Sequence, residues 1–137
     1  MQIVTDPAHA NGAVPLLGRT ADGPIEAHQI EQWGVDRNLA DVTFISEEFQ
    51  ALCPVTKQPD VYSLRISYAS GRTFESKGLK HYLWGFRDRP LSAENLATTL
   101  ADELTRALGS PVAVALVQNV RGGLQLHVEA LGRRDVA

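Results

Sequence analysis

Cysteine is nearly missing from this sequence. A single thiol, Cys53, stands in 137 residues, which excludes an internal disulfide framework and a cysteine-based zinc site. A basic excess is missing too. Thirteen Lys and Arg face sixteen Asp and Glu, for a formal charge of −3, so surface-wide attraction to polyanions is not expected, although a local basic patch stays open. No apolar run approaches the roughly eighteen residues that a membrane helix requires. The first residues carry neither a basic start nor an apolar stretch of the secretory kind, and the expectation is a soluble, cytoplasmic protein. A Walker loop and a Gly-rich dinucleotide fingerprint are absent as well. His9, His28, His81 and His127 show no ligand spacing, so no metal site is expected. What is present is an ordinary globular composition, 44% hydrophobic and 21% charged. The length suits one domain, able to bury about two thirds of its unfolded surface.

Residues 1–37 read as an irregular N-terminal arm. Pro7, Pro15 and Pro24 interrupt them, and Gly12, Gly18, Gly23 and Gly34 loosen them. Such a segment either drapes over the domain or a neighbouring subunit, or forms a partly ordered tail. Within it, Ile25 to Trp33 suits a short helix. The domain proper is expected over residues 38–137. A strand runs through Val42, Phe44 and Ile45 to about Ser46, and a loop follows over Phe49 to Pro59. Val61 to Tyr68 alternates cleanly, with Tyr62, Leu64, Ile66 and Tyr68 on one face and Ser63, Arg65 and Ser67 on the other. After a turn at Ala69–Arg72, Glu75 to Phe86 has helical spacing. A second helix begins after Ser92, carries Leu96, Leu100, Leu104 and Leu108, and stops at Gly109. Pro111 to Asn119 is a strongly apolar strand. Arg121-Gly122-Gly123 signals a hairpin into a fourth strand over Leu124 to Leu131. The order ββααββ predicts an α+β fold in which two helices cover one face of an antiparallel sheet. Four strands leave two open edges, and the run Val112–Val117 is too apolar to lie exposed. Edge pairing between subunits answers both problems, so a homo-oligomer is expected.

Three groups of residues have chemical potential. Cys53 lies in a loop stiffened by Pro54 and Pro59, with Asp60 seven residues on and Lys57 between them. It reads either as a small buried hydrophobe or as a nucleophile with a proton donor beside it. Lys77 and Lys80 share a helix face near a helix start, where cations oppose the macrodipole. They form either a solvated face or a seat for a phosphate-bearing cofactor. Glu94 is either a first-turn carboxylate favoured by the dipole or a group that recognises the N–H edge of a purine-like ring. Trp33 and Trp84 read as packing residues.

The stretch Phe44-Ile45-Ser46-Glu47-Glu48-Phe49-Gln50-Ala51-Leu52-Cys53-Pro54-Val55-Thr56-Lys57-Gln58-Pro59-Asp60 resembles the signature of the QueF family, the NADPH-dependent nitrile reductases of 7-cyano-7-deazaguanine. Glu75-Ser76-Lys77-Gly78-Leu79-Lys80, then Tyr82-Leu83 and Phe86-Arg87, is similar to that family's second motif. The resemblance covers roughly Asn38 to Leu131. It implies the tunnelling fold (T-fold), in which subunits close their sheets into an oligomeric barrel of stacked rings with interfacial active sites. It implies that Cys53 forms a thioimide with the nitrile and that Asp60 protonates the nitrogen. Phe74, Glu75, Ser76, Ala93 and Glu94 fall at substrate positions, and Lys77 and Lys80 at NADPH positions. The implied product is 7-aminomethyl-7-deazaguanine, made on the way to queuosine-type nucleosides. Three positions depart from the pattern. Ser92-Ala93-Glu94 stands where a Phe-His-Glu triplet is usual, Gly78 replaces a Ser or Ala, and Lys57 replaces a common glycine. These departures mark a divergent member. The alternatives to reduction are a non-reducing relative, which decarboxylates a 7-substituted 7-deazaguanine or forms an amidine, and a ring that only binds.

Overall fold

A computed structural model describes residues 23–36 and 38–134. Expectations placed on residues 1–22 lie outside the described residues. The main sheet has four antiparallel strands in the order β2 (Val42–Leu52), β3 (Pro59–Tyr68), β5 (Ala113–Arg121) and β6 (Leu124–Leu131). A second pair, β1 (Gln32–Gly34) and β4 (Arg72–Phe74), is also antiparallel. Helices α1 (Ser76–Trp84) and α2 (Ala93–Leu108) supply the other layer.

The layers follow from side-chain period. On β3, Tyr62, Leu64, Ile66 and Tyr68 are buried, as a two-residue repeat against helices demands. Helix α2 buries Leu96, Leu100, Leu104 and Leu108 at four-residue spacing, with Ala93, Ala97 and Ala101 beside them. Each of those leucines is worth about 2 kcal/mol of burial. The Ser92 hydroxyl accepts from the Asn95 N–H at 3.2 Å, and Gly109 closes the helix in the left-handed region at φ 81°.

Three expectations are corrected. The helix expected over Ile25 to Trp33 is only a 3-10 turn at Ala27–Gln29, followed by β1, and Ile30, Glu31 and Gln32 are buried. β1 is held by pairing with β4, forty residues away in sequence, rather than by local propensity. The first long strand does not stop near Ser46 but continues to Leu52. Its register shifts between Ser46 and Phe49, where Glu47 and Glu48 face the single residue Ser63. This β-bulge breaks the alternation that would have marked the second half as strand. Finally, Val112–Val117 is not at an edge. β5 lies between β3 and β6, and the open edges are β2 and β6. No described helix is long and apolar enough to cross a membrane.

Candidate active site

The hairpin between β2 and β3 builds the first half of the site. Leu52 pairs with Pro59, and beyond that pair the Cys53 N–H donates to the Gln58 carbonyl at 2.8 Å. The Lys57 N–H returns to the Cys53 carbonyl at 2.9 Å. Lys57 takes φ 59°, the left-handed conformation that glycine adopts without strain. Its ammonium group donates to the Pro54 carbonyl at 3.1 Å, so its charge lies within the loop.

The bulge decides where Cys53 points. Before it, Phe44 and Ser46 share the helix-facing side of β2. After it, Phe49 and Ala51 do, opposite Tyr62 and Asp60. Continuing that alternation puts Cys53 on the Asp60 side. The thiol is half-buried, and its pKa is held below the ordinary value. The cause is hydrogen bonding from the Thr56 hydroxyl first, then from the Thr56 and Val55 backbone. Desolvation and the Asp60 charge push the other way.

Asp60 is 3% exposed and forms an ion pair with Arg121, at the β5 end of the second hairpin. Asp60 in turn strengthens the hold of the Arg121 guanidinium on its proton. Tyr62, next on the same face, has its pKa raised by burial and then by Asp60, and its hydroxyl accepts from the Gln118 amide at 3.3 Å. Arg121, Tyr62 and Gln118 therefore join the site. Sequence reasoning placed Arg121 in a hairpin that resembles the family's and gave it no role in the site.

Glu94 comes near by a different route. The Leu52 N–H donates to the Arg89 carbonyl at 3.1 Å, and the Leu91 N–H to the Leu52 carbonyl at 3.2 Å. This short parallel bridge sets the start of α2 beside the Cys53 loop. There Glu94 is exposed, while Ala93 is 4% exposed and packs in the core.

The second motif lies elsewhere in the chain. Phe74 is buried against Tyr68, with ring centroids 5.5 Å apart, and its N–H donates to the Tyr68 hydroxyl at 3.0 Å. Tyr68 ends β3, whereas Asp60 stands at its start. A ten-residue strand separates its ends by on the order of 30 Å. Glu75 caps α1, its carboxylate accepting from the Lys77 N–H at 2.8 Å and the Gly78 N–H at 2.6 Å. That negative cap offsets the two lysines that follow. Gly78 is small for a reason: a Cβ there would lie 3.2 Å from Ile30 Cγ2 and 3.3 Å from Glu75 Oε2. Ser76 and Lys80 open onto a groove of about 720 Å³ between α1 and the edge strand β2. Leu64, Ile66, Leu79 and Leu83 line it, with Trp84 and Arg87 further along. The Arg87 guanidinium stacks 5.5 Å from the centre of the Trp84 ring. Lys77 is half-buried on the first turn, three residues before Lys80.

Comparison with known proteins follows this geometry. The model of the family described as QueF, QueF-like protein, matches residues 59–135. The chain belongs to the QueF family. Among curated QueF relatives, an NADPH-dependent 7-cyano-7-deazaguanine reductase of Frankia casuarinae is 37% identical over 109 residues, covering 77% of this chain and 86% of the relative. One of the same name from Syntrophus aciditrophicus is 36% identical over 118 residues, covering 84% and 83%. A crystal structure of the archaeosine synthase QueF-Like in the apo form superimposes with a TM-score of 0.62 at 21% identity, covering 72% of this chain and 97% of that one. That likeness bears on the fold, which is the T-fold expected for the QueF family.

Proposed function

We propose that this protein reduces 7-cyano-7-deazaguanine to 7-aminomethyl-7-deazaguanine with NADPH, by way of a thioimide on Cys53. The observation that carries the reading is the pairing of an activated thiol with a buried carboxylic side chain on one face of one hairpin. The relatives' names supply the substrate. A nitrile is a weak electrophile, and covalent capture divides a hard reduction into easier steps. Sulfur bonds to the nitrile carbon, one C–N π bond breaks, and the nitrogen takes a proton from Asp60. Glu94 receives the N–H edge of the heterocycle through charge-assisted bonds.

The α1–β2 groove has the chemistry a dinucleotide needs. Lys80 and Arg87 are cations for its phosphates, and the apolar wall with Trp84 suits its rings. Lys77, on the first turn of the same helix, is a third cation. When bound, NADPH supplies hydride. The chain's own part is to hold the cofactor by Lys77, Lys80 and Arg87 and to keep the captured carbon fixed on Cys53.

One chain does not assemble all of these parts. Cys53, Asp60 and Glu94 stand at one end of the sheet, and Phe74, Glu75 and Ser76 at the other. A homo-oligomer that sets the second group of one subunit beside the first group of another completes the substrate site. The exposed edges of β2 and β6 offer the means of joining. The reading places this enzyme in the cytoplasm.

The test is nicotinamide absorbance followed after 7-cyano-7-deazaguanine is added to enzyme and NADPH. Decay of the band that Cys53→Ala abolishes, and for which Lys80→Ala raises the KM for NADPH, supports the proposal. A steady band rejects reduction. A non-reducing reaction has one point in its favour, the absence of the family's histidine at Ala93, and the 7-carboxy analogue then becomes the substrate to test.

A further inference from the structure

We propose that Arg121 is a positioning residue for Asp60, fixing its carboxyl group so that it passes a proton from the Cys53 thiol to the substrate nitrogen. This rests on the nitrile reading above. The first support is how the strand aims the side chain. On β5, Val114, Leu116 and Gln118 face the helices with Leu64 and Tyr62. Unbroken alternation would put Val120 on that face and turn Arg121 away. Instead the register shifts: Gln118 pairs with Leu126 and Arg121 with Leu124, so Asn119 and Val120 stand opposite Gln125 alone. The bulge returns Arg121 to the face of Asp60 and leaves Val120 59% exposed.

The second support is the ion pair itself. Asp60 Oδ1 accepts from Arg121 Nη2, and the aspartate is far more buried than the arginine, with side-chain exposures of 4% and 55%. A buried carboxylate without a partner is costly, and the guanidinium both compensates its charge and fixes its plane. Two bulges, one in β2 and one in β5, thus direct Cys53 and Arg121 to the same carboxylate.

The chemistry balances without an added reagent. The ion-paired carboxylate takes the proton of the Cys53 thiol as sulfur adds to the nitrile carbon. It then gives that proton to the nitrogen, whose lone pair comes from the broken π bond. The net change is addition of S–H across C≡N, and Asp60 and Arg121 end as they began. The charged and titratable groups facing Asp60 are Cys53 from the loop, Tyr62 from β3 and Arg121 from β5.

The experiment compares wild type, Arg121→Gln, Arg121→Lys, Asp60→Asn and the Arg121→Gln/Asp60→Asn double variant, all checked for native circular dichroism. Two readouts are taken: the rate of the 7-cyano-7-deazaguanine adduct by intact mass, and the pH profile of Cys53 alkylation by iodoacetamide. Asp60→Asn is expected to slow the adduct by about 100-fold or more. Arg121→Gln is expected to slow it by about tenfold or more, Arg121→Lys to recover part of that, and the double variant to fall no further than Asp60→Asn alone. In the alkylation profile Arg121→Gln moves the thiol midpoint upward, because the Asp60 charge is no longer compensated. Adduct formation by Arg121→Gln at the wild-type rate overturns the proposal, as does a double variant that multiplies the two single losses. If Arg121→Gln fails to fold, Arg121→Lys decides: a slower adduct with an unmoved alkylation midpoint supports the role, because the charge is kept and the planar fork is lost, and the wild-type adduct rate overturns it. If wild type forms no adduct, the nitrile reading fails; an upward alkylation shift then still supports the coupling of Arg121 to Asp60 and Cys53, and an unmoved midpoint rejects it.

Discussion

Replacing Glu75 by alanine separates the structural work of this carboxylate from any role toward a substrate. Glu75 is 4% exposed and both of its oxygens are used, toward the Lys77 N–H at 2.8 Å and the Gly78 N–H at 2.6 Å. Loss of an N-cap to alanine costs about 1 kcal/mol. The second N–H belongs to buried Gly78, and leaving it without an acceptor adds about 1 kcal/mol. The charge at the positive end of α1 contributes roughly 0.5 kcal/mol more. The expected loss is therefore about 2.5 kcal/mol, or a fall in Tm of roughly 8 °C for a domain of this size. Thermal and urea unfolding at fixed protein concentration measure it, with an unchanged m-value showing that only stability moved. Glu75→Gln keeps an acceptor and should lose about half as much. Exposed Asp88→Ala is the control and should stay within about 0.5 kcal/mol of wild type. A Glu75→Ala protein melting within about 1 °C of wild type refutes the capping argument.

Two further substitutions test other parts of the structure. Thr56→Val removes the hydroxyl that contributes most to lowering the Cys53 pKa, so the midpoint of iodoacetamide alkylation should rise toward the ordinary thiol value; a fall or no change contradicts the assignment. Gly132→Ala would put a Cβ 1.8 Å from Thr105 Oγ1 and 2.2 Å from the Ala101 carbonyl, where buried Thr105 also accepts from the Val112 N–H. Chemical denaturation should show a loss of about 3 kcal/mol or more, and a loss under 1 kcal/mol would mean that β6 pulls away from α2 freely.

The sequence disclosed elements with strong period and concealed those made by long-range pairing. The Tyr62–Tyr68 alternation and the leucine spacing of α2 need only local arithmetic. β1 and β4 have three residues each, and neither has a pattern until the other is beside it. The second half of β2 was hidden by the Glu47–Glu48 bulge, which breaks the alternation in the middle of the strand. The same physics concealed part of the site. Cys53 and Asp60 were legible because a short proline-stiffened loop joins them. Arg121 was not, since its direction depends on a register shift that composition does not encode. The start of α2, which carries Glu94, is tied to the end of β2 by the Leu52–Pro90 bridge, a contact no local pattern announces. The positive φ at Lys57 explains why glycine is common there, and the lysine that takes its place ties its ammonium group to the Pro54 carbonyl.

Intact-protein mass spectrometry tests the central claim most directly. Enzyme is mixed with 7-cyano-7-deazaguanine, sampled, and then given NADPH. The account predicts a mass increase equal to the whole substrate, located on Cys53, absent in Cys53→Ala, and discharged by NADPH as the aminomethyl product appears. An adduct that survives NADPH, or turnover that persists in Cys53→Ala, would contradict it.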